Sequence, residues 1–82
     1  MILAKIHVTL KQSVLDPEGS AVAKSLHALG YDEVEDIRIG KYMELKVNTN
    51  DPKQAAERVA EMCEKLLANT VIEKYSFELS EV

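Results

Sequence analysis

From Ile2 to Leu10 apolar and polar positions alternate: Ile2, Ala4, Ile6, Val8 and Leu10 share one parity, while Leu3, Lys5, His7, Thr9 and Lys11 take the other. A period of two predicts a strand with one buried face. After the short connection Gln12 to Leu15, Asp16 is placed to cap a helix that starts at Pro17, where a missing amide proton costs nothing. Ala21, Val22, Ser25, Leu26 and Leu29 then form a stripe at helical spacing, and Gly30 supplies a left-handed stop.

A second helix is signalled more strongly. Asp51, Pro52 and Gln54 read as a cap, a first-turn proline and a capping-box partner, ahead of a helical run from Lys53 to about Ala68. Its buried stripe is Ala55, Ala56, Val59, Met62, Cys63, Leu66 and Leu67, a wide apolar face that must lie on something. Val71 to Leu79 reads as the last strand, with Tyr75, Phe77 and Leu79 on one side.

Between the helices, in Val34 to Asn48, Ile37, Ile39, Met43, Leu45 and Val47 all sit at odd positions, so the apolar parity runs straight through Gly40 and Lys41. A two-residue hairpin loop at Gly40 and Lys41 would turn Tyr42 and Glu44 toward the core, which is wrong for Glu44. Two arrangements stay open: a three-residue loop centred on Gly40, or one long strand that bends there and pairs with different neighbours at its two ends. The order is therefore β-α-β-α-β with a long or split middle strand. That is an α+β layer of two helices on one face of an antiparallel sheet, ferredoxin-like if the middle strand splits.

Composition narrows the partners. The 82 residues fit a single domain, residues 1–82, near the lower size limit for folding without disulfides or metals, and 46% of them are apolar. Apolar side chains left over from so small a core favour self-association. Fourteen Asp and Glu against ten Lys and Arg give a net charge of −4 with the signs interspersed, which argues against a nucleic-acid partner. A lone cysteine with no metal-ligand spacing points to a reducing, cytoplasmic setting. Neither a signal-peptide pattern nor an apolar run of about 20 residues is present, so no membrane partner is expected.

Catalytic chemistry is sparse. His7 lies on the strand face away from the inferred core and His27 lies off the helix stripe, so both read as surface or interface histidines. Cys63 falls in the apolar stripe and reads as core filler. Asp32, Glu33, Glu35 and Asp36 form an acidic run without calcium-loop spacing, and the three glycines are too far apart for a phosphate loop. The constellation singled out for recognition is Arg38, Gly40, Lys41 and Tyr42. Arg38, Tyr42 and Lys46 share the even parity, which would present a cationic and aromatic surface opposite the core.

Several segments together resemble a known family. They are Val8-Thr9-Leu10-Lys11, Val14-Leu15-Asp16-Pro17-Glu18-Gly19, Leu26-His27-Ala28-Leu29-Gly30-Tyr31, Val34 through Tyr42, and Met62 through Asn69. In this order they resemble the PurS family, the small subunits of phosphoribosylformylglycinamidine (FGAM) synthase. The resemblance implies a non-catalytic bridging subunit of an ATP-dependent ligase complex in purine biosynthesis, which self-associates to a dimer or tetramer. It implies PurL-like synthetase and PurQ-like glutaminase partners, with ATP and Mg used by the complex, no cofactor bound by this subunit and no catalytic residue carried over. Another class remains open, a small ferredoxin-like regulatory module that binds a ligand between strand edges and helices. An acylphosphatase-like enzyme fits less well, because Gln12 to Leu15 lacks the glycines and arginine of a phosphate loop.

Overall fold

The computed structural model describes residues Met1 to Val82. Strand β1 spans Ile2–Leu10, helix α1 Pro17–Ala28, strand β2 Gly40–Val47, helix α2 Pro52–Met62 and strand β3 Glu73–Glu81. The three strands form one antiparallel sheet in the order β2-β1-β3. β1 lies in the centre because its even face is apolar at every position, so it alone can be buried from both sides as well as from above. Ile6 sits opposite Met43 on β2 and Phe77 on β3, which brings the even face of β1 and the odd faces of its neighbours onto one side.

Helix α2 covers that side. Ala4, Ile6 and Val8 pack with Val59, Cys63 and Ala68 into the core, flanked by half-buried Met43, Leu45, Val47, Tyr75, Phe77 and Leu79. Ile2, Ile6, Val8 and Val59 are at most 1% exposed. Each such side chain contributes on the order of 1.5–3 kcal/mol by leaving water.

Both caps form, with a difference at the second. The Asp16 carboxylate accepts from the Gly19 amide at 2.9 Å, and that of Asp51 from the Lys53 amide at 3.0 Å. Gln54 does not reach back to the Asp51 amide as a capping box requires. Thr49 takes that place: its hydroxyl accepts from the Asp51 amide at 3.2 Å and donates to Gln54 Oε1 at 3.1 Å. At the end of α1, Gly30 has φ 100°, the left-handed stop expected of it.

Three other expectations are corrected. The middle strand begins at Gly40, so Gly40 is neither a hairpin turn nor a bend inside a longer strand, and Val34 to Ile39 run outside the sheet. The α2 stripe loses Leu66, which is 83% exposed. Its last turn, Cys63–Leu67, is a π turn closed by the Ala68 amide on the Cys63 carbonyl at 3.0 Å, and the added residue per turn rotates Leu66 outward while keeping Cys63 and Ala68 inside. The last strand starts at Glu73 rather than Val71, because the Ile72 and Glu73 amides both turn back to the Asn69 carbonyl.

Helix α1 is held mainly at its ends. Only Gly19 of its residues is buried, Val22 is 38% exposed and Leu29, just beyond it, 73%. A compact chain of this length has a radius of gyration of about 12 Å, whereas this one has 16.1 Å and extents of 49 × 27 × 14 Å. Nine of 82 residues are buried, so the core is small and much of the apolar α1 stripe is left to contacts outside the chain.

Candidate interaction surface

The segment between α1 and β2 is tied down by Asp16, Arg38 and His27. Asp16 Oδ1 serves as the helix cap, and Oδ2 accepts from the Ile39 amide at 2.8 Å. The backbone hydrogen bonds from Gly19 and Ile39, with the Arg38 charge nearby, hold the Asp16 carboxyl below the usual carboxylate range. Gly19 packs so closely that a Cβ would overlap the Ile37 carbonyl oxygen. At the far end of α1, His27 Nε2 lies 2.6 Å from the Val34 carbonyl oxygen. Since a carbonyl only accepts, Nε2 carries the proton there.

Arg38 does not join Tyr42 on a common face. It precedes the strand, and its Nη1 donates to the Val14 carbonyl at 2.7 Å and its Nη2 to the Gln12 carbonyl at 3.2 Å. Its Nε has no hydrogen-bond partner and faces Asp36 at 3.7 Å. The guanidinium is therefore a staple between the β1-α1 connection and the approach to β2. Parity misplaced it because parity counts only while the chain remains a strand.

The other three singled-out residues separate as well. Gly40 sits opposite Thr9 at the start of β2, where a Cβ would overlap the Val8 carbonyl oxygen. Lys41 has the odd parity and reaches Glu73 at 4.0 Å, linking the two edge strands beyond Val8. Tyr42 is 53% exposed on the opposite face. Its hydroxyl donates to Glu44 Oε2 at 2.9 Å, which raises its pKa. Its ring lies 5.0 Å from that of His7 at 46°.

That face carries no helix. Across it His7 stands between Tyr42 and Ser76, Lys5 between Glu44 and Glu78, and Leu3 between Lys46 and Ser80. The mixture of an aromatic pair with both signs of charge suits a polar protein contact better than an enclosed ligand. His7, which the sequence places on this face as a surface or interface histidine, was left outside the constellation singled out for recognition. Its odd position was visible, but its pairing with Tyr42 depends on which strands are neighbours and in which register. No three His, Cys, Asp or Glu side chains gather as a metal site. Cys63 is fully buried, and burial with the adjacent Glu64 carboxylate raises its pKa, leaving a protonated thiol.

Comparison with known proteins agrees with this picture. The family model PurS, described as phosphoribosylformylglycinamidine (FGAM) synthase, matches residues 3–81. The phosphoribosylformylglycinamidine synthase subunit PurS of Bacillus subtilis is 57% identical over 82 residues, covering 100% of this chain and 96% of the relative. The crystal structure of Methanocaldococcus jannaschii PurS superposes with a TM-score of 0.89 at 33% identity, over 100% of this chain and 99% of that one. A chain of the Thermotoga maritima PurLQS structure superposes with a TM-score of 0.85 at 28% identity, over 98% and 99%. With the family model spanning nearly the whole chain and the same fold in each of these relatives of known structure, the chain belongs to the PurS family.

Proposed function

We propose that the chain is the non-catalytic bridging subunit of FGAM synthase in purine biosynthesis. It brings a PurQ-like glutaminase and a PurL-like synthetase together, so that ammonia released from glutamine converts formylglycinamide ribonucleotide to formylglycinamidine ribonucleotide. One observation carries the reading: the end-to-end match to a chain of the PurLQS structure. The side-chain chemistry supports it. His27 is engaged with a backbone carbonyl, His7 lies against Tyr42, and Cys63 is buried and protonated, so no oriented base and nucleophile pair is available. ATP and Mg serve the larger subunits, this subunit binds no cofactor, and the complex works in the cytoplasm.

Within this reading the helix-free face around Tyr42 and His7 meets a larger subunit. Gly40 and Lys41 shape the end of β2, and Arg38 acts at a distance by holding the adjoining loop. The test is co-purification of the tagged chain with its two larger subunits, together with glutamine-dependent FGAM formation by the mixture. Both subunits should be retained. Tyr42→Ala should weaken their capture on the order of tenfold, as the loss of an aromatic interface anchor does, while the melting temperature stays unchanged. Failure of the wild-type chain to retain either subunit would overturn the function, and unfolding of Tyr42→Ala would overturn the assignment of faces.

A further inference from the structure

On the helix-free face the strand register sets side chains in rows across the sheet. Gly40, Thr9 and Lys74 make one row, Tyr42, His7 and Ser76 the next, and Glu44, Lys5 and Glu78 a third. Neither of the first two rows holds a carboxylate, whereas the third carries a carboxylate on each side of Lys5. Charge on this face is therefore divided along the strands, with hydrogen-bond donors gathered at the Gly40 end.

Within that end lies a recess of about 210 Å³ lined by His7, Thr9, Lys74, Tyr75 and Ser76. Tyr75 packs its side chain against the core on the covered face. What opens into the recess is therefore an imidazole, two hydroxyls and an ammonium, each able to donate a hydrogen bond. The chain supplies them with no acceptor: its three ion pairs leave Lys74 out, and its side-chain hydrogen bonds engage none of His7, Thr9, Lys74 and Ser76. Nearby on the same face a donor does find its acceptor, where Tyr42 gives its hydroxyl to Glu44 at 2.9 Å.

We propose that this recess receives the carboxylate of an Asp or Glu side chain from the larger subunit that meets this face. The proposal rests on the reading of the chain as a bridging subunit and names the chemistry of one contact within it. Lys74 supplies the charge. Thr9 and Ser76 stand diagonally across β1 and β3, about 7–8 Å apart, a distance that one carboxylate spans by accepting a bond of about 2.7 Å at each of its two oxygens. A single negative charge matches the single ammonium, and Glu44 and Glu78 in the third row oppose a greater one. A phosphate site would draw on free backbone amides at a helix N-terminus or a turn, whereas the β1 amides beneath the recess lie in the ladders with β2 and β3.

The test is the dissociation constant of the full chain for each larger subunit, measured separately by biolayer interferometry at fixed ionic strength. Lys74→Glu sets one carboxylate against another and should weaken binding to one subunit on the order of tenfold or more, leaving the other within about threefold. Lys74→Arg keeps the charge and should stay within about threefold of wild type for both. Ser76→Ala and Thr9→Val each remove one donor and should weaken the same subunit by roughly threefold to tenfold. Lys74 and Ser76 are exposed, so their variants keep the fold. Unchanged binding in Lys74→Glu and Ser76→Ala overturns the recess while leaving the bridging role standing, as does equal loss for both subunits or a loss in Lys74→Arg as large as in Lys74→Glu. Saturation of the Thr9 and Ser76 amide resonances by micromolar inorganic phosphate would make the recess a phosphate site and overturn the carboxylate as its occupant. A wild-type chain that retains neither subunit overturns the bridging role and the recess together.

Discussion

Gly40→Ala tests whether the close approach of β1 and β2 at this residue is a structural requirement. The added Cβ would overlap the Val8 carbonyl oxygen and crowd the Thr9 Cγ2 methyl. The methyl can move by side-chain rotation. The carbonyl cannot, because Val8 is pinned in the central strand between Lys41 on one side and Tyr75 on the other. Relief must come from peeling back the start of β2, which surrenders the pairing of Thr9 with Gly40 and strains the adjoining bond from the Ile39 amide to Asp16. Two net hydrogen bonds at about 0.5–1.5 kcal/mol each amount to about 1–3 kcal/mol, the usual range for overpacking. For a domain of this size about 4–8 °C of Tm is lost per kcal/mol, so a fall of roughly 8–16 °C is the central expectation. Circular dichroism melts at matched protein concentration measure it, since self-association would otherwise shift Tm. A melt within about 2 °C of wild type would refute the reasoning, because that corresponds to less than about 0.5 kcal/mol.

The lowered pKa of Asp16 and the raised pKa of Cys63 each have a measurable consequence. Asp16 titrates lower in the folded protein than its ordinary value of 3.8, so its contribution to stability is present above that value and is lost as pH falls through the lower folded pKa. Melts from pH 6 downward should show wild type losing Tm below about pH 4, with a shallower slope in Asp16→Asn; parallel slopes would remove Asp16 as the cause. The Cys63 thiol, buried and held protonated, should react with a thiol reagent at neutral pH only at the rate of opening, and denaturant should raise that rate by orders of magnitude. Labelling as fast as a free thiol in native buffer would contradict the burial.

The strands and α2 were readable because each repeats one period against one surface. β1 keeps its even residues inside, β3 its odd aromatic ones, and Ala55, Val59 and Cys63 of α2 are fully buried as their spacing implies. The Asp16 and Asp51 caps were readable for the same local reason, since a cap is made within three residues. Arg38, Lys41 and His7 were not. Arg38 looked like a strand residue because Ile37 and Ile39 carry the apolar parity onward, although the strand begins only at Gly40. Lys41 and His7 find their partners across β1 and across the β1-β2 register, and a list of residues carries no register.

Local order therefore came from the chain itself: which segments are strands, which are helices, where each helix starts, and which family the ordered segments resemble. Tertiary structure decided what those elements meet. Periodicity states that α1 has an apolar stripe, but only the fold reveals that Leu29 remains 73% exposed and that β2 is an open edge beside a groove. The physical reason is one of range. Backbone propensity and capping act over a few residues, whereas burial and strand pairing depend on residues such as Ile6, Met43 and Phe77 that are distant in sequence and adjacent only after folding.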